Sequence, residues 1–98
     1  MTRIGYQIPN FTYPSTSGSA IFDSVVAQAK AAEAAGFDRV FVMDHFYQLP
    51  GIGAPDEPML ECYTILSALA QHTEKVGLSA LVTDNTYRHP TLLAKAVT

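Results

Sequence analysis

Asn10-Phe11-Thr12-Tyr13-Pro14-Ser15-Thr16-Ser17-Gly18 is the stretch that separates two folds. Before it, Arg3 to Ile8 alternates, with Ile4, Tyr6 and Ile8 on one face, which predicts a short strand. Pro9 removes a backbone donor and ends that strand. After it, Phe22, Val25, Val26, Ala29 and Ala32 recur at helical spacing and predict a helix from about Ala20 to Ala35. A dinucleotide-binding sheet would carry G-x-G-x-x-G in such a strand-to-helix loop. This loop is longer and has one glycine, so the reading favours a closed barrel over an open doubly wound sheet.

The rest of the chain repeats the unit. Ser17 or Ser19 is expected to cap the first helix, Asp23 sits near its positive end, and Gly36 follows as a left-handed C′ residue. Arg39-Val40-Phe41-Val42-Met43 is an apolar run that suits a parallel strand buried on both faces. A loop from Phe46 to Pro58 follows. Asp56 and Glu57 are expected to open a second helix, with Pro58 in its first turn. Its apolar face reads Met59, Cys62, Tyr63, Leu66, Leu69 and Ala70, and His72 lies near its negative end as a structural residue. Val76 to Val82 predicts a third strand and Thr83 to His89 its loop. Pro90 then starts a third helix with Leu92, Leu93, Ala96 and Val97 on one side.

Strands beginning near residues 3, 39 and 76 and alternating with helices imply a parallel sheet. The expected fold is α/β, the first three units of a (β/α)8 TIM barrel, with residues 1–98 as an N-terminal fragment of one domain. A closed barrel needs eight units and typically ~250 residues. Three units leave two sheet edges and apolar helix faces uncovered. The 98-residue chain is therefore expected to be inactive alone, and its bare surfaces make a homo-oligomer the expectation if it is a non-catalytic fragment.

Composition narrows the function classes. A net charge of −3 with scattered basic residues leaves no patch to neutralise a phosphate backbone, so nucleic acid is not an expected partner. No apolar run approaches the ~20 residues that span a bilayer, and Met1 to Gly5 lacks a leader's apolar core. The expected compartment is the cytoplasm. The single cysteine, Cys62, excludes an internal disulfide and reads as a small buried hydrophobe.

Barrel active sites lie at the carboxyl ends of the strands. The polar residues there are Gln7 and Asn10 after strand one, Asp44 and His45 after strand two, and Thr83, Asp84 and Asn85 after strand three, with Tyr87, Arg88 and His89 beyond. Asp44-His45 is the strongest local signal, because an imidazole there can move protons near neutral pH. The plainer reading is a turn cap at Asp44 and a surface histidine. Adjacent side chains in an extended chain point apart, so the two face different partners. A metal site built from Asp44, His45, Asp84 and His89 is the rival, but strand one ends Tyr6-Gln7-Ile8 without the His-x-His pair common to metal hydrolases on barrels.

Three segments carry a resemblance: Phe37-Asp38-Arg39-Val40-Phe41-Val42-Met43-Asp44-His45, Glu57-Pro58-Met59-Leu60-Glu61-Cys62-Tyr63, and Leu81-Val82-Thr83-Asp84-Asn85-Thr86-Tyr87-Arg88-His89-Pro90. They resemble the luciferase-like monooxygenase family, most closely its branch that uses coenzyme F420, a deazaflavin. The resemblance implies a hydride transfer between the deazaflavin and a small organic substrate, with flavin mononucleotide (FMN) as the alternative cofactor of a monooxygenase. It implies that His45 moves a proton beside the reactive ring and that Asp44 and Thr83 contact the cofactor. It also implies a non-prolyl cis peptide in a strand-three bulge, here between Ala80 and Leu81, whose backbone supports the ring. Glu61 matches a recurrent family residue without an assigned role. Relatives commonly have glycine at the position of Asp84. If that position needs a positive φ, aspartate is strained there, and its charge opposes an anionic cofactor.

Overall fold

The computed structural model describes all 98 residues, Met1–Thr98. Its elements run β1 (Gly5–Ile8), α1 (Ala20–Ala34), β2 (Arg39–Val42), α2 (Cys62–Leu69), β3 (Gly77–Ala80) and α3 (Pro90–Val97). The three strands form one parallel sheet in the order β1-β2-β3. The register aligns Tyr6 with Val40 and Leu78, and Ile8 with Val42 and Ala80.

That register explains the single core. Side chains alternate across a strand, so the rows through Tyr6 and Ile8 share one face of the sheet. There they pack with Val25, Ala29 and Ala32 of α1 and with Ile65, Leu66 and Leu69 of α2. Both helices therefore cover the same side, as in an arc of a barrel. A doubly wound sheet would place helices on both. The opposite face carries Gly5, Gln7, Phe41 and Ser79, and nothing in the chain covers it. The expectation that β2 is buried on both faces is corrected accordingly: Val40 and Val42 are fully buried, while Phe41 between them is only half-buried.

Two helix starts differ from expectation. Ser19 occupies the N-cap of α1 but makes no side-chain cap bond. Its own backbone is already helical (φ −62°, ψ −26°), and the entry is closed by turn bonds from Ile21 N–H to the Gly18 carbonyl and from Phe22 N–H to the Ser19 carbonyl, each 3.2 Å. The second helix begins at Cys62 rather than at Asp56 and Glu57. Glu61 is extended (φ −62°, ψ 129°), and its carboxylate accepts the Thr64 N–H at 2.7 Å, which sets the cap there. Met59 and Leu60 pack against the core from the preceding loop, and Glu57 instead receives the Thr12 hydroxyl at 3.0 Å.

Other local readings match. Gly36 takes φ +84° just beyond α1. Pro90 opens α3, and the His89 imidazole Nδ1 accepts the Thr91 N–H at 3.2 Å. His72 lies just past α2 with its ring edge-on to Phe22 (centroids 5.7 Å apart). Cys62 is buried, and burial first, then the charges of Asp44 and Glu61, push its thiol up to about 12. No helix is long and apolar enough to cross a membrane.

Candidate active site at the strand ends

Strand β2 ends at Val42, and the chain continues through buried Met43 into Asp44 and His45. A carboxylate as buried as Asp44 needs partners, and it has them on both oxygens. The Arg88 guanidinium grips it bidentately, with Nη1 donating to Oδ2 and Nη2 to Oδ1, the latter at 2.8 Å. The Asp84 N–H donates to Oδ2 at 2.9 Å. The Arg88 bonds foremost, helped by the Asp84 N–H, hold the Asp44 carboxyl below the usual carboxylate range against the opposing effect of burial.

Arg88 reaches further. Its Nη2 donates to Glu61 Oε1 at 2.5 Å, and its guanidinium lies 4.8 Å above the centre of the Tyr63 ring. The Tyr63 hydroxyl in turn shares a 2.5 Å hydrogen bond with the Thr83 hydroxyl. Burial works to raise the Glu61 carboxyl, but the bonds from Thr64 and Arg88 together outweigh it and bring it to about 2. Asp44 is the largest influence on Arg88, whose pKa is raised further above its already high value. Two carboxylates and one guanidinium thus tie the end of β2, the start of α2 and the β3–α3 loop together.

Beside this cluster lies an open cleft of about 320 Å³. His45 lines it, half-buried, and is engaged by none of the hydrogen bonds that hold Asp44. Phe46 and Tyr87 form one wall, their ring centroids 4.2 Å apart, and Met59 adds an apolar patch. The cleft therefore combines one free imidazole, apolar walls and a saturated ionic floor.

Among the other sequence candidates, Gln7 faces the uncovered side of the sheet and Asn10 accepts the Tyr13 hydroxyl through its carbonyl at 2.9 Å. Neither lines the cleft. Ala80 ends β3 with its side chain against the core. The cis peptide joins Leu81 to Val82, one residue beyond the expected Ala80–Leu81 bond. Leu81 N–H still donates to the Val42 carbonyl at 2.8 Å, so pairing with β2 continues through Leu81, and the cis bond follows it. The expected strain at Asp84 is also absent, because Ser15 is the only non-glycine residue at positive φ. Its carboxylate accepts the N–H (2.6 Å) and hydroxyl (2.5 Å) of Thr86, and those bonds lower its pKa. His, Cys, Asp and Glu side chains nowhere gather in threes suited to a metal ion, and the rival donors Asp44 and His89 are occupied by Arg88 and by Thr91 N–H.

The family model for luciferase-like monooxygenases matches residues 2–98. The chain belongs to that family. Among solved structures, this luciferase-like chain is similar to the oxygenating constituent of 3,6-diketocamphane monooxygenase from Pseudomonas putida, a type II Baeyer-Villiger monooxygenase in complex with FMN. That pair is 20% identical with a TM-score of 0.75, covering 99% of this chain and 25% of the other. It is also similar to an F420-dependent secondary alcohol dehydrogenase in complex with an F420-acetone adduct, at 27% identity and a TM-score of 0.71, covering 97% of this chain and 26% of the other. The chain thus spans about a quarter of the length of either structure. No curated protein matches it by sequence.

Proposed function

We propose that this chain supplies the ring-facing rim of a deazaflavin-dependent oxidoreductase that interconverts a small alcohol and its carbonyl. The observation that carries the reading is the placement of His45: free of the ionic cluster, beside apolar walls, at the carboxyl ends of parallel strands. The 27% identity to the alcohol dehydrogenase, against 20% to the monooxygenase in complex with FMN, favours the deazaflavin over FMN.

The residues present fit the flat ring of such a cofactor and not its phosphate tail. Phe46, Tyr87 and Met59 offer apolar surface, whereas the one cation at the cleft, Arg88, is committed to Asp44 and Glu61. Asp44, Thr83 and the backbone through Ala80 and Leu81 would border the ring. When bound, a deazaflavin supplies two-electron hydride chemistry. His45 takes the hydroxyl proton as the alcohol becomes a carbonyl, or returns it in the reverse direction.

The test uses the deazaflavin chromophore without its phosphate tail, with riboflavin as the comparison. Fluorescence quenching by the chain, with NMR shifts confined to the cleft around His45, Phe46, Met59 and Tyr87 and to the adjoining Leu81 and Thr83, is the expected result. His45→Ala should weaken it. Equal binding of riboflavin, or shifts on another face, would overturn the reading.

The uncovered sheet face through Gly5, Gln7, Phe41 and Ser79 favours a second reading, a non-catalytic piece stable only by association. Sedimentation separates the two: a monomer that binds the chromophore sinks this alternative.

A further inference from the structure

We propose that Arg88 is the positioning residue of this site, holding Asp44 so that the β3–α3 loop closes against the end of β2 beside His45. The inference rests on the reading of His45 as the proton-moving group, and it adds a residue outside that chemistry. One guanidinium contacts both Asp44 oxygens and also Glu61, and Glu61 separately caps α2. The Asp84 N–H bonds the same carboxylate oxygen that receives Arg88 Nη1, so the β3–α3 loop is fixed through Asp44. Planar, two-pronged donation of this kind belongs to arginine; lysine is a point charge that cannot reproduce it.

The consequence is chemical as well as mechanical. Around Asp44 stand Arg88 and Asp84 from the β3–α3 loop and Glu61 and Cys62 from the start of α2. Arg88 is the only cation among them. With both carboxylates spent on it, neither competes with His45 for a substrate proton, and neither is left to bind a cation. The floor of the cleft stays ionised and fixed, and the His45 imidazole beside it takes no part in those bonds.

The experiment reads the chain itself and needs no cofactor, so its failure is separable from failure of the functional reading. Carboxyl carbon NMR of Asp44 and amide exchange of Asp84 are followed in the native chain, in Arg88→Met and in Arg88→Lys. In Arg88→Met the Asp44 titration midpoint should rise by about 1–3 pH units, the amount by which a neighbouring arginine typically depresses an aspartate. Exchange of the Asp84 amide should accelerate about tenfold or more, while Val40 and Leu69 amides in the core keep their protection. If Arg88→Met does not fold, Arg88→Lys carries the test: it retains the charge, and the Asp84 amide should still lose protection. An unchanged Asp84 exchange rate in a folded variant, or an Asp44 midpoint that does not move in Arg88→Met, overturns the proposal.

Discussion

Gly5 lies directly against the ring of Phe41: a β carbon built on Gly5 would stand 2.3 Å from the ring's Cε2 atom. The two belong to neighbouring strands on the face that no helix covers, where Gln7 pairs with Phe41 in the register. Glycine is thus required by close approach and not by its backbone angles, since Gly5 is not at positive φ. Gly5→Ala is expected to destabilise the chain by about 1 kcal/mol, the low end for overpacking, because Phe41 can turn toward the open side. Gly5→Ala combined with Phe41→Leu should recover most of that loss. Urea midpoints of the four variants in a double-mutant cycle check this; additive losses would show that the ring is not the cause.

Glu33, in the last turn of α1, ties that helix to the entry of β3. Its carboxylate accepts three consecutive backbone N–H groups, from Glu74 (2.9 Å), Lys75 (2.6 Å) and Val76 (2.9 Å). The Val76 bond foremost, then those of Lys75 and Glu74, lower its pKa below the ordinary 4.5. The folded carboxyl therefore holds its proton less tightly than the unfolded one. Its stabilisation is present in full above pH 4.5 and is lost as pH falls through the lower folded-state value. Glu33→Gln should lower the urea midpoint at neutral pH, and the gap from the native chain should narrow as pH drops below 4.5. A gap that stays constant with pH would refute the ionic origin of the clamp.

The β/α alternation was legible because it rests on local signals. The loop at Asn10 to Gly18, the apolar run at Arg39 to Val42 and the proline at Pro90 each dictate structure within a few residues. The start of α2 was not, because Asp56 and Glu57 mimic a helix opening as well as Glu61 does, and only packing of Met59 and Leu60 on the core decides between them. The Asp44-His45 doublet could be placed at the strand ends from its position alone. Arg88 as the partner of Asp44 could not, since the two are 44 residues apart and meet only through the β2–β3 register. A lone arginine among Asn85, Thr86, Tyr87 and His89 carries no one-dimensional mark of which carboxylate it will hold.

Cys62 provides a check on burial at the site. It is the first residue of α2, where a helix N-terminus ordinarily lowers a thiol pKa. Burial, followed by the charges of Asp44 and Glu61, overrides that and moves it from 9.0 to about 12. Each unit is a tenfold loss of thiolate, so the folded chain should react with an aromatic disulfide reagent on the order of a thousandfold more slowly than the urea-unfolded chain. Comparable rates in the two states would mean that the start of α2 opens readily.

Glu61 serves two structures with two oxygens: Oε2 caps α2 through Thr64 N–H, and Oε1 meets Arg88. Substitutions can separate these. Glu61→Ala removes both and should cost about 1 kcal/mol for the lost cap alone, with faster exchange of the Thr64 amide. Glu61→Ser restores a short capping oxygen that cannot span to Arg88, so Thr64 protection should return while the Arg88 contact does not. The acid limit follows from the same bonds. The Glu61 carboxyl is lowered from 4.5 to about 2, so its contribution is complete above 4.5 and disappears only as pH falls through about 2. The Thr64 amide shift, followed from pH 6 downward, should therefore hold its folded position through the range where ordinary glutamates protonate. A shift that moves with a midpoint near 4.5 instead would show that neither Arg88 nor the helix start grips this carboxylate.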